Sequence, residues 1–365
     1  MKKLKRKYQR HHCLESINSM YVELHNDGYI VKPCCLYQEQ RRSTVDSIQD
    51  LLDNPVINDI RENFKGNWRK QSGCKTCVQK EEVGLPTKRQ RSLRSGYNGH
   101  IVNWDLRPSN TCNLKCAMCN YSNSSKWLED IDIEEKYSGK RLISNTTRED
   151  LDWDWIYSQV VDKAESIYFA GGEPFYMKNV YKFLFELSKN EWNCENTVIK
   201  IQTNGVSNTV KLIEVLSKFK KRDFTISVDG WGEVNELIRF PTNHDTFIAM
   251  TDEINSLEDH ISFSITLQAM NLPNMDTLVN NLKSRWSNST INIHNLFSPR
   301  YLKINALKQH VIDNVMANTT IQEVKQFCNE YVYNEALNKT MQNYLLDLDA
   351  KRGTDSKRII GWCFE

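Results

Sequence analysis

The chain has 365 residues, which is enough for one large domain and a smaller second unit. Hydrophobic residues make up 39% and charged residues 26%, typical of a soluble globular protein, and a net charge of only +2 gives no argument for nucleic-acid binding. No apolar run approaches the roughly 18 residues of a membrane span, and no signal-peptide core follows the basic start, so we predict a cytoplasmic protein without membrane contact.

The first part of the chain has the pattern of a β-hairpin with cysteines at its open end. Cys13 precedes an apolar run that reaches an Asp-Gly pair, and a second apolar run leads from there to Cys34 and Cys35. Asp-Gly between two apolar runs is a strong hairpin signal. The hairpin would bring Cys13 to the same end as Cys34 or Cys35.

A second pair of cysteines follows a predicted helical stretch over residues 43–64. Cys74 and Cys77 form a C-x2-C knuckle, a spacing that often binds metal. In a chain without a secretion signal, clustered cysteines are more often metal ligands than disulfides. On their chemistry alone, these cysteines could bind either zinc or an iron–sulfur cluster. The favoured ligand set, called here the N-terminal cysteine set, is Cys13, Cys34, Cys74 and Cys77. Cys35 is the alternative to Cys34 in this set.

From residue 101 onward, strand-like and helix-like segments alternate. Helical spacing of apolar residues marks 177–189, 212–219 and 275–286. Repeated βα units predict parallel strands covered by helices, with functional residues at the carboxyl ends of the strands. Six units are too few to close an eight-stranded barrel. The predicted strands are 101–106, 166–170, 197–203, 224–228, 261–267 and 290–293.

Three cysteines follow the first of these strands directly. Cys112, Cys116 and Cys119 have the spacing C-x3-C-x2-C. Three thiolates can hold three corners of a cubane iron–sulfur cluster, which normally takes four. The fourth iron would then be open to a ligand, as in catalytic rather than structural metal sites. A zinc site and three ordinary buried thiols are the alternatives.

The second strand ends in Gly171-Gly172-Glu173-Pro174. Glycines permit a positive φ and allow the backbone to approach a ligand closely, and the proline fixes the turn. A glycine pair after a strand is also a common turn without any function. The motif therefore gains weight only from its place after the cysteines.

Two later strand ends carry further polar residues. Thr203 and Asn204 precede a glycine, as in an ordinary turn. Ser227 lies in the run Ile-Ser-Val-Asp-Gly, and Arg239 follows it by twelve positions. An arginine fork is suited to binding a carboxylate, although a cation on a helix surface is an equally ordinary role.

Over residues 101 to about 270, this ordered set resembles the radical S-adenosylmethionine (SAM) superfamily. The resemblance implies a partial (βα)6 TIM-like barrel and a [4Fe–4S] cluster on the three cysteines, whose open iron chelates SAM. Reductive cleavage of SAM then gives a 5′-deoxyadenosyl radical that abstracts hydrogen from a substrate. In the family, the Gly-Gly-Glu backbone binds the SAM amino group, and the serine and arginine contact its carboxylate and ribose. The resemblance thus implies these SAM-binding residues: Met118 (against adenine), Gly171, Gly172, Glu173, Pro174, Thr203, Asn204, Ser227 and Arg239.

The N-terminal cysteine set resembles the auxiliary-cluster modules called SPASM and twitch, although these usually follow the barrel. This resemblance favours a second [4Fe–4S] cluster over zinc. Such a cluster could accept an electron from the substrate radical or anchor the substrate. Residues 1–97 would form this module, residues 98–300 the barrel and residues 301–365 a helical extension.

The C-terminal extension has helical patterns over 304–318 and 321–346, and we expect it to cap the barrel or cover the substrate pocket. Cys194, Cys328 and Cys363 lack partner spacing and are predicted to be structural or free thiols, with hydrogen-atom donation or ligation by Cys363 as a weaker alternative.

The favoured substrate is a peptide or protein side chain, since the resemblance is strongest to peptide-modifying members. A small molecule such as an aminosugar or nucleoside is the alternative. An electron donor such as flavodoxin or ferredoxin is implied as a partner. No catalytic base is assigned, because Asp105 and Asp229 could both be structural. A non-catalytic zinc or iron–sulfur protein is a hypothesis of another class, and the Gly-Gly-Glu-Pro, Ser227 and Arg239 set argues against it.

Overall fold

The structure is a computed structural model. The helix predicted over 43–64 lies outside the described residues except at three positions. The part of the chain that the structure describes comprises residues 13–25, 28–37, 58, 61–62, 69, 72–84, 86–92, 100–140, 151–207, 210–257 and 260–365.

In this described part of the chain, eight strands form one sheet in the order β2-β1-β3-β4-β5-β6-β7-β8. Only the β1–β2 pair is antiparallel, and every other neighbouring pair is parallel. The six predicted strands correspond to β3 through β8. The strands are β1 Ser19–His25, β2 Gly28–Lys32, β3 Asn103–Arg107, β4 Ser166–Phe169, β5 Val198–Thr203, β6 Lys221–Ser227, β7 Ile261–Leu267 and β8 Thr290–Asn295.

Helices connect the parallel strands, as the alternating pattern predicts. Short 3-10 turns occur at residues 72–74, 125–130, 174–176, 272–274, 300–302, 304–306 and 361–363. The helices are α1 Leu14–Asn18, α2 Lys75–Glu82, α3 Lys88–Ser92, α4 Ile131–Ser138, α5 Trp153–Val160, α6 Lys178–Leu187, α7 Glu191–Asn196, α8 Val210–Leu216, α9 Glu233–Ile238, α10 His244–Asn255, α11 Met275–Arg285, α12 Gln309–Asn318, α13 Gln322–Asn329, α14 Glu335–Arg352 and α15 Ser356–Ile359. The α/β fold with a partial TIM-like barrel and a C-terminal helical extension is confirmed.

The sheet has one apolar and one polar face. In β7, Ile261, Phe263 and Ile265 are almost fully buried, whereas the intervening Ser262 and Ser264 are partly exposed. This alternation follows from the two-residue period of a strand, which sends successive side chains to opposite faces. The apolar face packs under the helices in one continuous core, and the polar face borders the interior of the partial barrel.

The predicted N-terminal hairpin is present, and it extends the barrel sheet. β1 lies parallel to β3, with Ser19 opposite Asn103 and Glu23 opposite Arg107. Because β2 runs antiparallel to β1, the chain leaves β2 at the amino end of β3. The cysteines after β2 and those after β3 therefore lie toward opposite ends of the strands, and a five-residue strand such as β3 is about 16 Å long.

Among the helices that the structure describes, none has the length and apolar character that a membrane crossing requires. The longest of these described helices, α14, packs on the 3-10 turns that follow β8 and shares the barrel's hydrophobic core through Leu345 and Leu348. The C-terminal helices thus form a cap on the barrel.

Candidate functional site

The three clustered cysteines lie in the loop between β3 and the 3-10 turn at 125–130, called here the cysteine loop (residues 108–124). Backbone N–H groups of Lys115 and Ala117 donate to the carbonyls of Phe240 and Ile238, both at 2.7 Å. On its other side, the Tyr344 hydroxyl of α14 donates to the Ala117 carbonyl at 2.6 Å. The loop is therefore held between the α9 end and the C-terminal helix.

Of the three cysteines in this loop, Cys116 is buried, and Cys112 and Cys119 are partly buried. Burial raises the pKa of Cys112 to about 12 and also raises the pKa values of Cys116 and Cys119. Cys116 adds to the rise at both other thiols, which places the three side chains within electrostatic reach of one another. Buried thiols with raised pKa values ionise when a metal centre displaces their protons. The donor set fits a cluster bound by three thiolates.

The glycine pair packs against the cysteine loop. Gly171 and Gly172 both have positive φ, +80° and +49°, as predicted. A Cβ on Gly172 would lie 2.2 Å from the Thr111 carbonyl oxygen, and a Cβ on Gly171 would lie 3.2 Å from Cβ of Arg107. The atoms nearest the two positions belong to Arg107 at the end of β3 and to the cysteine loop, and the approach of this backbone to a ligand stays a prediction. Both glycines thus set the distance between the β4 end and the cysteines.

Glu173 fastens the next loop to the same site. Its buried carboxylate accepts hydrogen bonds from the Phe175 N–H at 3.0 Å, the Thr203 hydroxyl at 2.8 Å and the Asn204 N–H at 2.6 Å. Burial raises the pKa of Glu173 to about 7, against the opposing effect of these donors. The Asn204 amide also donates to the Asn113 side chain at 2.7 Å, so three loops at the strand ends are tied together. Pro174 begins the 3-10 turn that follows.

Arg239 reaches the cysteine loop as a buried cation. Its Nη1 lies 2.5 Å from Oδ2 of Asp229, and Oδ1 of Asp229 accepts the Thr266 N–H at 2.7 Å. Although burial opposes it, the pKa of Arg239 is raised by Cys116 and by Asp229. Its buried Nε has no hydrogen-bond partner in the described part of the chain. Asp229 thus acts as the partner of Arg239, with donor capacity left on the guanidinium.

Ser227 connects the strand ends to the interior of the partial barrel. The Tyr168 hydroxyl donates to the Gln202 side chain at 2.5 Å, and Nε2 of Gln202 lies 3.5 Å from Oγ of Ser227. Tyr168 also lines a cavity of about 530 Å³ with Asp105, Lys200 and Cys35. This cavity lies on the polar sheet face, toward the amino ends of the strands, and is separated from Ser227 by two side chains.

Met118 borders a second cavity, of about 490 Å³, beside Cys119. Three tyrosines that line this cavity form a mutually packed group with ring centroids 4.8–5.6 Å apart. Such a wall is suited to a planar aromatic ligand. The sequence motifs did not include these tyrosines, Tyr137, Tyr301 and Tyr344, because they come from three separate elements.

The N-terminal cysteine set forms a small cluster of its own. Cys13 packs with Tyr37, and Cys34, Cys74 and Cys77 contact this pair. Burial raises the pKa of Cys13 to about 12 and raises those of Cys34 and Cys77. The four thiols therefore form a second donor set that could hold a cluster.

Cys35 lies apart from that set. Its sulfur accepts a hydrogen bond from Nζ of Lys88 at 3.5 Å and borders the 530 Å³ cavity near Asp105. Burial raises the pKa of Asp105, against the effects of Arg107 and Cys35. The geometry favours Cys34 over Cys35 as the fourth donor, and it places Asp105 on the cavity wall.

Within the described ranges, no three His, Cys, Asp or Glu side chains converge on a position for a single metal ion. A cubane cluster binds each thiolate at a different iron, so its ligands stand farther apart than those of one zinc ion, whose Zn–S bonds are about 2.3 Å. Cys328 and Cys363 are buried in the main core, and Cys194 packs against that core, its thiol donating to the Ser188 carbonyl. These three remain predicted structural thiols.

Comparison with known proteins defines the class. Residues 106–271 match the family model described as the Radical SAM superfamily, a range that contains the cysteine loop and all the strand-end motifs. This part of the chain is therefore a radical SAM domain. No curated protein sequence matches it.

Among solved structures, the chain is similar to hexahistidine-tagged anSMEcpe with bound AdoMet (18% identity, 54% of this chain and 52% of that chain, TM-score 0.41). Native anSMEcpe with bound AdoMet is also similar (18% identity, 68% of this chain and 61% of that chain, TM-score 0.42). Streptococcus suis SuiB bound to precursor peptide SuiA matches at 14% identity, over 92% of this chain and 70% of that chain, with TM-score 0.41. The chain spans only 52% and 61% of the first two relatives.

Proposed function

We propose that this protein is a radical SAM enzyme that abstracts a hydrogen atom from a peptide or protein side chain. The observation that carries the proposal is that Cys112, Cys116 and Cys119 come from one loop and lie within electrostatic range of one another and of the buried Arg239 guanidinium. Structural thiols or a closed metal site need no such cation. An open cluster that binds a carboxylate-bearing cofactor does.

Each strand-end motif has a distinct task in this proposal. The three thiolates hold a [4Fe–4S] cluster, and Arg239 and Ser227 offer donors to the carboxylate and ribose of SAM. Backbone groups around Gly171 face the amino group. Met118 and the tyrosine-lined cavity accept the adenine ring. When bound, the cluster and SAM supply the electron and the 5′-deoxyadenosyl radical.

The chain's own residues fix these positions. The Glu173 carboxylate ties together the ends of β4 and β5, and the glycine pair sets the distance from there to the cysteine loop. Glu173 is therefore a positioning residue whose own oxygens are occupied. Preorganised donors of this kind cost no rearrangement when the cofactor binds.

The substrate is proposed to bind in the 530 Å³ cavity on the polar sheet face. The cavity lies between Ser227 and the N-terminal cysteine set, which is proposed to hold the auxiliary [4Fe–4S] cluster. Lys200, Asp105 and Tyr168 give it both charges and a hydroxyl, which suits the polar backbone of a peptide. An aminosugar or nucleoside is the alternative, because a cavity of this size also admits a small polar molecule.

The test is SAM cleavage by anaerobically reconstituted protein with a low-potential reductant such as reduced flavodoxin. Deoxyadenosine is quantified by mass spectrometry with and without candidate peptides, including those encoded near the gene. The proposal is supported if a peptide stimulates deoxyadenosine formation and itself loses a hydrogen atom or has one moved to another position. Stimulation by aminosugars or nucleosides alone would reject the peptide assignment, and no deoxyadenosine from a cluster-loaded protein would reject the enzyme.

A further inference from the structure

The C-terminal helix α14 brings buried positive charge against the cysteine loop. Arg352 is its last residue, with a side chain only 1% exposed, and its Nε lies 2.8 Å from Oδ2 of Asp130. Oδ1 of the same carboxylate lies 2.8 Å from Nζ of Lys115, the residue before Cys116. Two cations thus share one buried anion. Glu129 also contacts Lys115, at 3.1 Å, but its side chain is 50% exposed and its charge is screened by solvent.

The hydrogen bonding of Arg352 is incomplete. Neither Nη nitrogen has a hydrogen-bond partner within the described residues, and both atoms are buried. The guanidinium lies over the rings of Trp127 and Phe240, 5.0 and 5.4 Å from their centroids. Trp127 in turn donates its indole N–H to the Cys116 carbonyl at 3.1 Å. A buried cation with unused donors is costly unless a nearby anion compensates it.

Two contacts connect Arg352 to the cysteine loop: Trp127 lies against its guanidinium and donates to the Cys116 carbonyl, and Asp130 links it to Lys115. Arg239 has its own carboxylate, Asp229, whereas Arg352 shares Asp130 with Lys115. The uncompensated charge at this site therefore comes from the C-terminal cap.

We propose that Arg352 is an electrostatic positioning residue that raises the reduction potential of the cluster held by the cysteine loop. The inference rests on the proposed function, since it needs a cluster at this loop. A cubane on three thiolates is anionic and becomes more so when it gains one electron. A buried positive charge therefore stabilises the reduced state more than the oxidised state. The electron comes from an external reductant, and no bond or proton is transferred in this step.

The test is a redox titration of reconstituted protein, following the paramagnetic signal that SAM perturbs. Arg352→Met should lower the reduced-to-oxidised ratio at a fixed ambient potential about tenfold, which is 59 mV for a one-electron couple. Lys351→Met removes the same charge one residue earlier, from a side chain 39% exposed, and should change the ratio less than about twofold. Asp130→Asn removes the buried anion and should raise the ratio. Arg352→Lys keeps the charge and should stay within about threefold of wild type.

Opposite shifts for Arg352→Met and Asp130→Asn cannot come from loosened packing alone, because both changes break the same ion pair. Equal shifts for Arg352→Met and Lys351→Met, or shifts of the same sign for Arg352→Met and Asp130→Asn, would overturn the inference. If Arg352→Met assembles no cluster, the other two variants test the inference. A ratio that does not rise in Asp130→Asn, or that changes by more than about threefold in Arg352→Lys, would then overturn it. A wild-type protein that assembles no cluster rejects the proposed function instead.

Discussion

Gly172→Ala should damage the site far more than the addition of one methyl group implies. The new Cβ would lie 2.2 Å from the Thr111 carbonyl oxygen and 2.8 Å from the carbonyl carbon of Asn110. Real Cβ contacts stay beyond 3.0 Å, so this backbone must move by about 0.8 Å, and Thr111 directly precedes Cys112. The positive φ of +49° costs an alanine roughly 1–2 kcal/mol, and overpacking adds about 1–3 kcal/mol. The free energy of unfolding should fall by about 2–5 kcal/mol.

The matched control is Gly353→Ala, at the carboxyl end of α14. Gly353 also has a positive φ, +68°, but a Cβ there would meet nothing within 4 Å. It should therefore lose only the backbone cost of about 1–2 kcal/mol. Urea unfolding of the two variants measures the difference, and iron and sulfide analysis after reconstitution measures the effect on the loop. Equal losses of stability and full cluster content in Gly172→Ala would refute the proposed packing of the glycine against the cysteine loop.

Three further changes test other parts of the site. Arg239→Ala should weaken SAM binding by about 1–3 kcal/mol in calorimetry. Arg239→Lys should recover little of this binding energy, because an ammonium cannot reproduce the guanidinium fork. Unchanged SAM affinity in both variants would show that Arg239 is not part of the SAM site. Cys34→Ala should lose the iron of the auxiliary site while Cys35→Ala retains it, and the reverse result would exchange their roles. Burial raises the pKa of Glu173 from 4.5 to about 7, so the folded protein binds this proton more tightly than the unfolded chain does. The free energy of unfolding should therefore fall as the pH rises from 4.5 through 7. Glu173→Gln should remove that part of the pH dependence of urea unfolding. If the variant and the wild type show the same dependence on pH, the Glu173 carboxylate is ionised throughout this range.

The barrel could be predicted because its signal is local and repeated. β7 has the predicted bounds, 261–267, because alternating apolar and polar residues determine both the strand and its faces. The N-terminal hairpin can be predicted from another local signal, the Asp-Gly pair between two apolar runs. Its pairing with β3, more than eighty residues later, was not, since nothing in the local pattern of Ser19–His25 specifies a distant partner.

At the site, residue types could be predicted but their contacts could not. The positive φ of Gly171 and Gly172 follows from glycine chemistry, whereas their contact with the cysteine loop depends on how two loops pack. The sequence assigns no role to Asp229, because its ion pair with Arg239 forms only in the folded chain. Arg352 was missed for a related reason: its helix pattern predicts a cap, and no motif links position 352 to the cysteine loop.

The central claim is an open cluster at the cysteine loop, and paramagnetic resonance of the reduced, reconstituted protein with and without SAM tests it most directly. The wild type should give two signals, of which SAM perturbs one, because only that cluster has a free iron. The Cys112→Ala/Cys116→Ala/Cys119→Ala variant should keep the other signal, with about half the iron and sulfide and no response to SAM. A wild type that binds zinc without sulfide-bearing iron, or a triple variant whose spectrum still responds to SAM, would contradict the account.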